Sequence, residues 1–184
     1  MAEVTLRLIS EGDLPLLLAW AWIPQVWEYL PTSREGEKLT WDSHLRWWKR
    51  RKNRVDWLIS ADRKHPHPVG VVHINDLDKE YPEIGLYIGE VTLWGKGIGT
   101  QALEEGIHRM DTICKWGRRP YKGLHAVIHP ENVTSVKLFT GVGFIKIGEA
   151  RKEQGLYEYP FNRPEVTVSL DQVRNRLSYK PSPA

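Results

Sequence analysis

The spacing of apolar residues along the chain predicts a mixture of helices and strands. Leu14, Leu17 and Leu18 recur at the period of a helix, and Leu103 and Ile107 mark the buried face of a longer one. Short β-branched and apolar runs, bounded by turn-forming residues, predict strands. The predicted helices cover 14–21, a segment from Thr40, 97–114 and a segment from Asn132, and the predicted strands cover 4–9, 55–61, 69–77, 84–88, 123–128, 144–147 and 156–161.

The predicted order is β, α, α, β, β, β, α, β, α, β, β, which indicates an α+β (α/β) domain with a partly parallel sheet. No repeat or linker divides the chain, so we expect one domain over residues 1–161. Residues 162–184 are more polar and end in Lys-Pro-Ser-Pro-Ala. They are predicted to form a C-terminal extension with a short helix near 170–177 and a loose end.

Composition narrows the class of protein. The 184 residues are 41% hydrophobic and 27% charged, as in ordinary globular proteins, and no apolar run is long enough for a membrane span. A single cysteine excludes an intramolecular disulfide and favours a reducing compartment. With no signal peptide expected at the N-terminus, we predict a cytoplasmic protein. The net charge of +3 suits an anionic ligand without requiring nucleic acid.

The most informative motif follows the predicted strand 84–88, which begins directly after Glu83. That strand runs into a loop with Gly95, Gly97 and Gly99, after which a helix starts. Glycines let a backbone turn tightly and approach a ligand, and the N–H groups of a first helical turn attract negative charge. Lys96 adds a positive charge. The loop therefore predicts an anion site, although a tight turn that binds nothing is the alternative.

Two common nucleotide motifs are excluded by the spacing of this loop. A Walker A loop needs Gly-x-x-x-x-Gly-Lys followed by Ser or Thr, but residue 90 is Glu and residue 97 is Gly. A dinucleotide fingerprint needs Gly-x-Gly-x-x-Gly near the start of a βαβ unit, but here the spacing is Gly-x-Gly-x-Gly and several elements come first.

A second segment, residues 129–144, makes the interpretation more specific. It contains Asn132 and Ser135 at the start of a predicted helix that leads to Gly143 and Phe144. Together the two segments resemble the GCN5-related N-acetyltransferase (GNAT) superfamily. Its members carry (Arg/Gln)-x-x-Gly-x-(Gly/Ala) after the fourth strand and Asn-x-x-(Ser/Ala) before a helix that ends in Gly-Phe. The resemblance covers about residues 4–161.

The resemblance implies acetyl-coenzyme A as cofactor and a mixed, mostly antiparallel sheet of about six to seven strands flanked by about four helices. Backbone N–H groups of 93–99 would hold the pyrophosphate, and pantetheine would lie where strand 86–89 splays from the strand starting at Gly123. Asn132 would contact the pantetheine arm or act as a helix N-cap. The implied cofactor contacts are Ile88, Gly89, Leu93, Trp94, Gly95, Lys96, Gly97, Ile98, Gly99, Thr100, Asn132 and Phe139.

The sequence departs from the family pattern at two positions. Trp94 stands where Arg or Gln is usual, although Trp-Gly-Lys-Gly resembles subfamilies that modify antibiotics, polyamines or ribosomal protein N-termini. Phe139 stands where many members have a Tyr that protonates the leaving thiolate. Because phenylalanine donates no proton, this role would pass to Ser135, to water, or to nothing.

Acetyl transfer to an amine also needs a base and a donor to the carbonyl oxygen. Glu83 is the first candidate for the base, because its strand leads to the cofactor; a solvated strand-edge residue is the alternative. A backbone N–H near Ile88 or Gly89 is the expected donor. Ser135 would lie close to the thioester.

The acceptor cleft is expected to contain residues of the first helices and of the neighbouring strand. His73 and Asp76 are candidates to contact the amine, although His73 is also typical of a structural histidine. Tyr87 would line the cleft or simply pack. In this family the first two helices and their connection build the acceptor site, which adds Trp27, Glu28 and Tyr29.

Several functions remain open at this level. The favoured one is acetylation of a small primary amine, such as an aminoglycoside or amino sugar; polyamines and ribosomal-protein N-termini are alternative acceptors. An acetyl-coenzyme A sensor without catalysis is kept open by Phe139. A nucleic-acid-binding module is the remaining alternative, because residues 46–54 are basic and interleaved with aromatics. A monomer or homodimer without a metal is expected.

Overall fold

Seven strands form one mixed sheet in the order β1-β2-β3-β4-β5-β7-β6. The computed structural model describes residues 3–29, 39–61, 67–115, 121–150 and 154–161, so the predicted C-terminal extension lies outside these ranges. The predicted mostly antiparallel sheet is confirmed, since only β4 and β5 are parallel among the described pairs. The strands are β1 (Thr5–Leu8), β2 (Val55–Ser60), β3 (Pro68–Asn75), β4 (Glu83–Ile88), β5 (Gly123–Ile128), β6 (Ile145–Glu149) and β7 (Gly155–Pro160).

Five α-helices accompany the sheet in the described part of the chain. Thr40 begins one of them as predicted, because its side chain accepts a hydrogen bond from the Ser43 N–H at 3.2 Å. Pro24 starts a short helix that was not among the predicted ones, since proline is favoured at the first helical position. The helices are α1 (Leu14–Trp20), α2 (Pro24–Trp27), α3 (Trp41–Arg50), α4 (Ile98–Lys115) and α5 (Val133–Val142).

The helices cover both faces of the sheet. On one face α4 packs closely, because Gly106 has no side chain and the β3 residue Val72 lies only 3.0 Å from where its Cβ would be. On the other face α1 places Leu14 and Trp20 against Leu58 and Val71 of the central strands. The chain thus has two apolar layers, one above and one below β3 and β4.

The parallel pair β4–β5 is short. The two strands are in register at a single position, Glu83 opposite His125. Beyond it, towards the carboxyl ends of both strands, no further register pair joins them. The splayed strand pair that the resemblance implied is therefore present.

None of the helices that the structure describes has the combination of length and apolar character needed to cross a membrane.

Replacing Leu103 by Ala tests the packing of α4. Leu103 is fully buried in the larger core, so the substitution should lower the free energy of unfolding by about 2–5 kcal/mol. Ile113 on the same helix is 41% exposed, and Ile113→Ala should cost about 1 kcal/mol or less. Urea denaturation of both variants measures the difference, and equal losses would contradict the described burial.

Candidate active site

A cleft of about 750 Å³ opens where β4 and β5 diverge. It runs without interruption from the glycine loop past the start of α5 to the face of the sheet that carries α1 and α3. The glycine loop, the start of α5 and that face of the sheet therefore border one continuous space.

The glycine loop forms one end of the cleft. Gly95 and Gly97 have φ values of 74° and 78°, a left-handed backbone that favours glycine. A Cβ added to either would meet nothing within 4 Å, so the space beside the loop is open. The helix α4 starts at Ile98, and its first N–H groups have no carbonyl one turn earlier in the helix. The loop is therefore an open cradle that favours an anion.

Gly99 serves a different purpose from the first two glycines. A Cβ there would lie 2.8 Å from Leu138 Cδ1 of α5. The glycine thus permits the start of α4 to approach the middle of α5 closely.

The free backbone edge of β4 follows from its pairing with β3. In an antiparallel pair, residues bonded to the partner alternate with residues whose backbone groups point away. The Gly89 N–H donates to the Val69 carbonyl at 2.8 Å. The alternate residues Leu86 and Ile88 therefore present their N–H and C=O groups to the side where β5 diverges.

The opposite edge of the cleft follows from β5. The His125 N–H donates to the carbonyl of Pro82, just before β4. This carbonyl points towards β5, as do the backbone groups of Leu86 and Ile88. On the other side of β5 the Phe161 N–H donates to the Lys122 carbonyl, so alternation directs the Val127 backbone towards β4. Unpaired peptide groups thus line both arms of the splay.

Most, but not all, of the predicted cofactor contacts line the cleft. Leu93, Trp94 and Thr100 line the cleft, and the Trp94 indole N–H donates to the Ile88 carbonyl at 2.9 Å. Gly89 does not line it, because its N–H is bound to Val69 and the Trp20 indole occupies the space where its Cβ would be. Lys96 is exposed at the rim rather than among the lining residues. Sequence reasoning could not separate these neighbours, because it did not include the β3 partner.

The start of α5 forms the wall facing the glycine loop. The Asn132 side chain accepts from the Ser135 N–H at 3.1 Å, so Asn132 acts as the N-cap, and both residues line the cleft. Phe139 lies one helical turn after Ser135 on the same face.

Phe139 also helps to end the helix. Gly143 has a φ of 115°, and the Phe144 N–H donates to the Phe139 carbonyl at 3.0 Å. The two phenyl rings meet edge to face, 5.0 Å apart. This is the hydrogen bond and apolar contact of a Schellman motif, so the predicted Gly-Phe exit has a structural role.

Glu83 lies on the floor of the cleft. Burial is the largest cause that raises the pKa of its carboxyl above the usual value, and the Asp76 carboxylate adds to it. The Asn75 amide, which donates to Glu83, and the cations Lys79 and Arg54 lower that pKa only in part. A carboxylate with a raised pKa is a stronger base than an ordinary exposed glutamate.

His73 is a neutral ring beside Glu83. A Cβ on Gly85 would lie 2.5 Å from its Nε2, so the imidazole covers the glycine on the adjacent strand. Burial, and then the positive Arg54, lower the pKa of His73 to about 3. Its Nδ1 is buried and has no hydrogen-bond partner within the described ranges.

The other predicted acceptor contacts fall into two groups. Trp27, Glu28, Tyr29 and Tyr87 line the cleft. Asp76 does not, because it lies past the end of β3, where its carboxylate pairs with Lys79 at 2.6 Å. Its influence on the site is through its negative charge near Glu83.

Among the cleft residues that the sequence did not predict are five polar or aromatic ones on α3, on β3 and around the start of β2. Their signal is weak, because they are separated along the chain and become neighbours only through the pairing of β2, β3 and β4 and the packing of α3. Trp47 illustrates this, since it stacks on His44 at 5.2 Å within a segment that resembled a basic surface helix. The five are His44, Trp47, Arg54, Asp56 and Asn75.

Alanine substitutions in the glycine loop should separate backbone strain from packing. Gly95→Ala and Gly97→Ala place a side chain in the left-handed region and should each cost about 1–2 kcal/mol of unfolding free energy. Gly141→Ala is the matched control, because its Cβ also meets open space but its helical backbone accepts alanine. Urea denaturation measures the three, and a destabilised control with unaffected loop variants would contradict this account.

Comparison with known proteins agrees with this geometry. Residues 3–145 match the family described as an acetyltransferase (GNAT) domain. A curated uncharacterized protein of Methanocaldococcus jannaschii is 36% identical over 159 residues, which are 85% of this chain and 31% of that protein. The chain thus spans about a third of the length of this relative.

Solved structures show the same fold. A domain from M. jannaschii has a TM-score of 0.78 and 34% identity, over 88% of this chain and all of that one. Spermidine N-acetyltransferase from Vibrio cholerae has a TM-score of 0.67 and 15% identity over 86% and 94% of the two chains. An aminoglycoside acetyltransferase solved with coenzyme A has a TM-score of 0.68 and 16% identity, over 84% of this chain and 92% of that one. The chain belongs to the GNAT family of acetyltransferases.

Proposed function

We propose that this protein transfers the acetyl group of acetyl-coenzyme A to the primary amine of a small acceptor, with an amino sugar or an aminoglycoside as the best candidate. The observation that carries the proposal is the continuity of the cleft. The glycine cradle, the free edge of β4 and the Glu83 carboxylate all line the same space.

The residues present fit the cofactor. The open cradle at Gly95 and Gly97 suits its pyrophosphate. The peptide groups of Leu86 and Val127 and the N–H of Ile88, whose carbonyl already accepts from Trp94, suit the amides of pantetheine. When bound, acetyl-coenzyme A supplies an activated acetyl group as a thioester. The Ile88 N–H is the donor favoured for the thioester carbonyl, because the Gly89 N–H is already bound to Val69.

Glu83 is proposed as the group that takes a proton from the acceptor amine, directly or through water. Primary amines are mostly protonated at neutral pH, so removal of that proton must accompany attack. The half-buried carboxylate both attracts the cation and, with its raised pKa, accepts its proton. The neutral His73 next to it adds no competing positive charge.

Ser135 is proposed to supply the proton that the departing thiolate needs. Phe139 has no proton to donate. Its carbonyl accepts from the Phe144 N–H and its ring packs against the Phe144 ring at the end of α5. The Ser135 hydroxyl is the closest replacement along the same helix face, since the two residues are four apart and both line the cleft.

Aromatic side chains at the acceptor end of the cleft support a small acceptor over a protein terminus. The rings of Tyr29 and His129 lie 5.5 Å apart and bring the end of α2 to the end of β5. The aromatic side chains of Trp27 and Trp47 line the acceptor end, where they can stack on a sugar ring. Two of the solved structures of similar fold contain spermine and ribostamycin, respectively. Both ligands are amines, which supports an amine acceptor for this chain without deciding between the two classes.

The basic segment of α3 and the turn after it is proposed to be structural rather than a nucleic-acid site. Arg51 and Arg54 both pair with Asp56, whose side chain is only 3% exposed. The Arg51 guanidinium also lies over the Trp48 ring. Two of the basic residues are therefore turned inward and are not available to phosphates.

A thiol-release assay with acetyl-coenzyme A and a panel of amines tests the function. We expect turnover with amino sugars or aminoglycosides and less with polyamines and N-terminal peptides. Calorimetry of acetyl-coenzyme A binding without acceptor separates catalysis from sensing. Binding without release on any amine would favour the sensor, and turnover restricted to peptides would overturn the small acceptor.

Replacing Glu83 by Gln should reveal the base. We expect kcat/KM to fall about a hundredfold or more. In the wild type, kcat/KM should decline as pH falls through the pKa of Glu83, which lies above the usual value of about 4.3, because only the deprotonated carboxylate accepts a proton. This acidic limb should disappear in the variant. Glu80→Gln is the control, since Glu80 pairs with Lys122 outside the cleft.

Variants of α5 should locate the proton donor. Ser135→Ala should lower kcat about tenfold or more with little change in acetyl-coenzyme A affinity, and Phe139→Tyr in that background should restore part of the rate. Thr140→Val is the control, because its hydroxyl donates to the Val136 carbonyl away from the cleft. A wild-type kcat in Ser135→Ala would assign this proton to water instead.

A further inference from the structure

The floor of the acceptor cleft contains a connected set of polar side chains that the proposed reaction does not yet explain. Asn75 of β3 is directly opposite Glu83 of β4, so both side chains extend from the same face of the sheet as neighbours. A hydrogen-bonding interaction with the Asn75 side chain lowers the pKa of the Glu83 carboxyl, which is the direction expected when an amide N–H faces a carboxylate. Both residues line the cleft.

Arg54 determines which end of the Asn75 amide faces Glu83. Its Nη1 lies 2.8 Å from Asn75 Oδ1. A guanidinium can only donate hydrogen bonds, so the oxygen of the amide must face Arg54. The NH2 group of the same amide is therefore directed to the side of Glu83, where a carboxylate can only accept.

Asp56 in turn holds Arg54. The Nε and Nη2 atoms of Arg54 lie 2.8 and 2.7 Å from Asp56 Oδ1, and Arg51 pairs with the other carboxylate oxygen. Asp56 is 5% exposed and stands opposite His73 in the register of β2 and β3. The guanidinium is thus clamped between Asp56 and Asn75 with little freedom to turn.

We propose that Asn75 and Arg54 are positioning residues for Glu83: Arg54 fixes the orientation of the Asn75 amide, and that amide holds the carboxylate towards the acceptor amine. Neither residue needs to touch the reacting atoms. The catalytic consequence of this inference rests on the proposed function. The contacts among Arg54, Asn75 and Glu83 do not depend on it.

The charges around Glu83 show why the amide matters. Asp76 past β3 repels the charged carboxylate, whereas Lys79 in the turn before β4 and Arg54 after α3 attract it. On β5, His125 is in register with Glu83 but lies 3.3 Å from Glu158, to which its ring is directed. The NH2 group of the Asn75 side chain is the neutral donor among these groups. It favours the deprotonated form of Glu83, which is the form that accepts a proton.

The test compares two readouts in variants of these residues. Asn75→Asp keeps an acceptor for Arg54 but replaces the donor to Glu83 with a like charge, and Asn75→Ala removes the donor without adding charge. Carbon-13 NMR of glutamate-labelled protein, with Glu83 assigned through Glu83→Gln, follows the carboxyl titration without any acceptor. The pH profile of kcat/KM follows the same group during turnover.

We expect the pKa of Glu83 to rise by about one unit or more in Asn75→Asp, and by less in Asn75→Ala and Arg54→Gln. The acidic limb of kcat/KM should move to higher pH by the same amounts. Arg109→Gln is the matched control, because it removes an arginine paired with Glu105 outside the cleft and should change neither readout.

An unchanged Glu83 titration in folded Asn75→Asp and Asn75→Ala would overturn the inference. So would a uniform loss of rate with an unshifted pH profile, which is what a merely structural role predicts. If Asn75→Asp does not fold, Asn75→Ala and Arg54→Gln still decide the result. A failure of the wild type to acetylate any amine would overturn the proposed function instead, since the titration requires no turnover.

Discussion

The divergence of β4 from β5 is the constraint on which the rest of the site depends. A parallel pair in register at one position leaves the following peptide groups of both strands without partners in the sheet. Unpaired peptide groups are stable only beside water or a ligand that bonds to them. The same divergence opens the cleft, so one feature of the backbone creates both the space and the hydrogen-bonding edge.

The alternation of side chains along β4 gives its two faces different tasks. Ile84, Leu86 and Ile88 contact the core formed with α4, which anchors the strand. Glu83 and Tyr87 extend from the other face, into the acceptor side of the cleft. Because side chains in a strand alternate, one short strand can fix the cofactor edge and carry the proposed base without either task disturbing the other.

On the acceptor side of the cleft, the groups around the half-buried Glu83 carboxylate have opposite effects on its protonation. Burial of Glu83 favours a captured proton, whereas the Asn75 amide favours the charged form. The opposing influences leave a carboxyl that can exist in both states, which proton transfer from an amine requires. His73 contributes a polar surface that stays uncharged, because its burial strongly disfavours protonation.

The sequence by itself determined the order of elements apart from the short helix α2, the start of α5 at Asn132 and the glycine cradle, because each depends on residues close together in the chain. The family followed from two such local motifs. Only the tertiary structure decided that the Gly89 N–H is bound to Val69, that Asp76 lies outside the cleft, and that Arg54 holds Asn75 opposite Glu83. These contacts join β3, β4 and the turn between α3 and β2. Their geometry depends on sheet register and helix packing, which no local pattern of residues specifies.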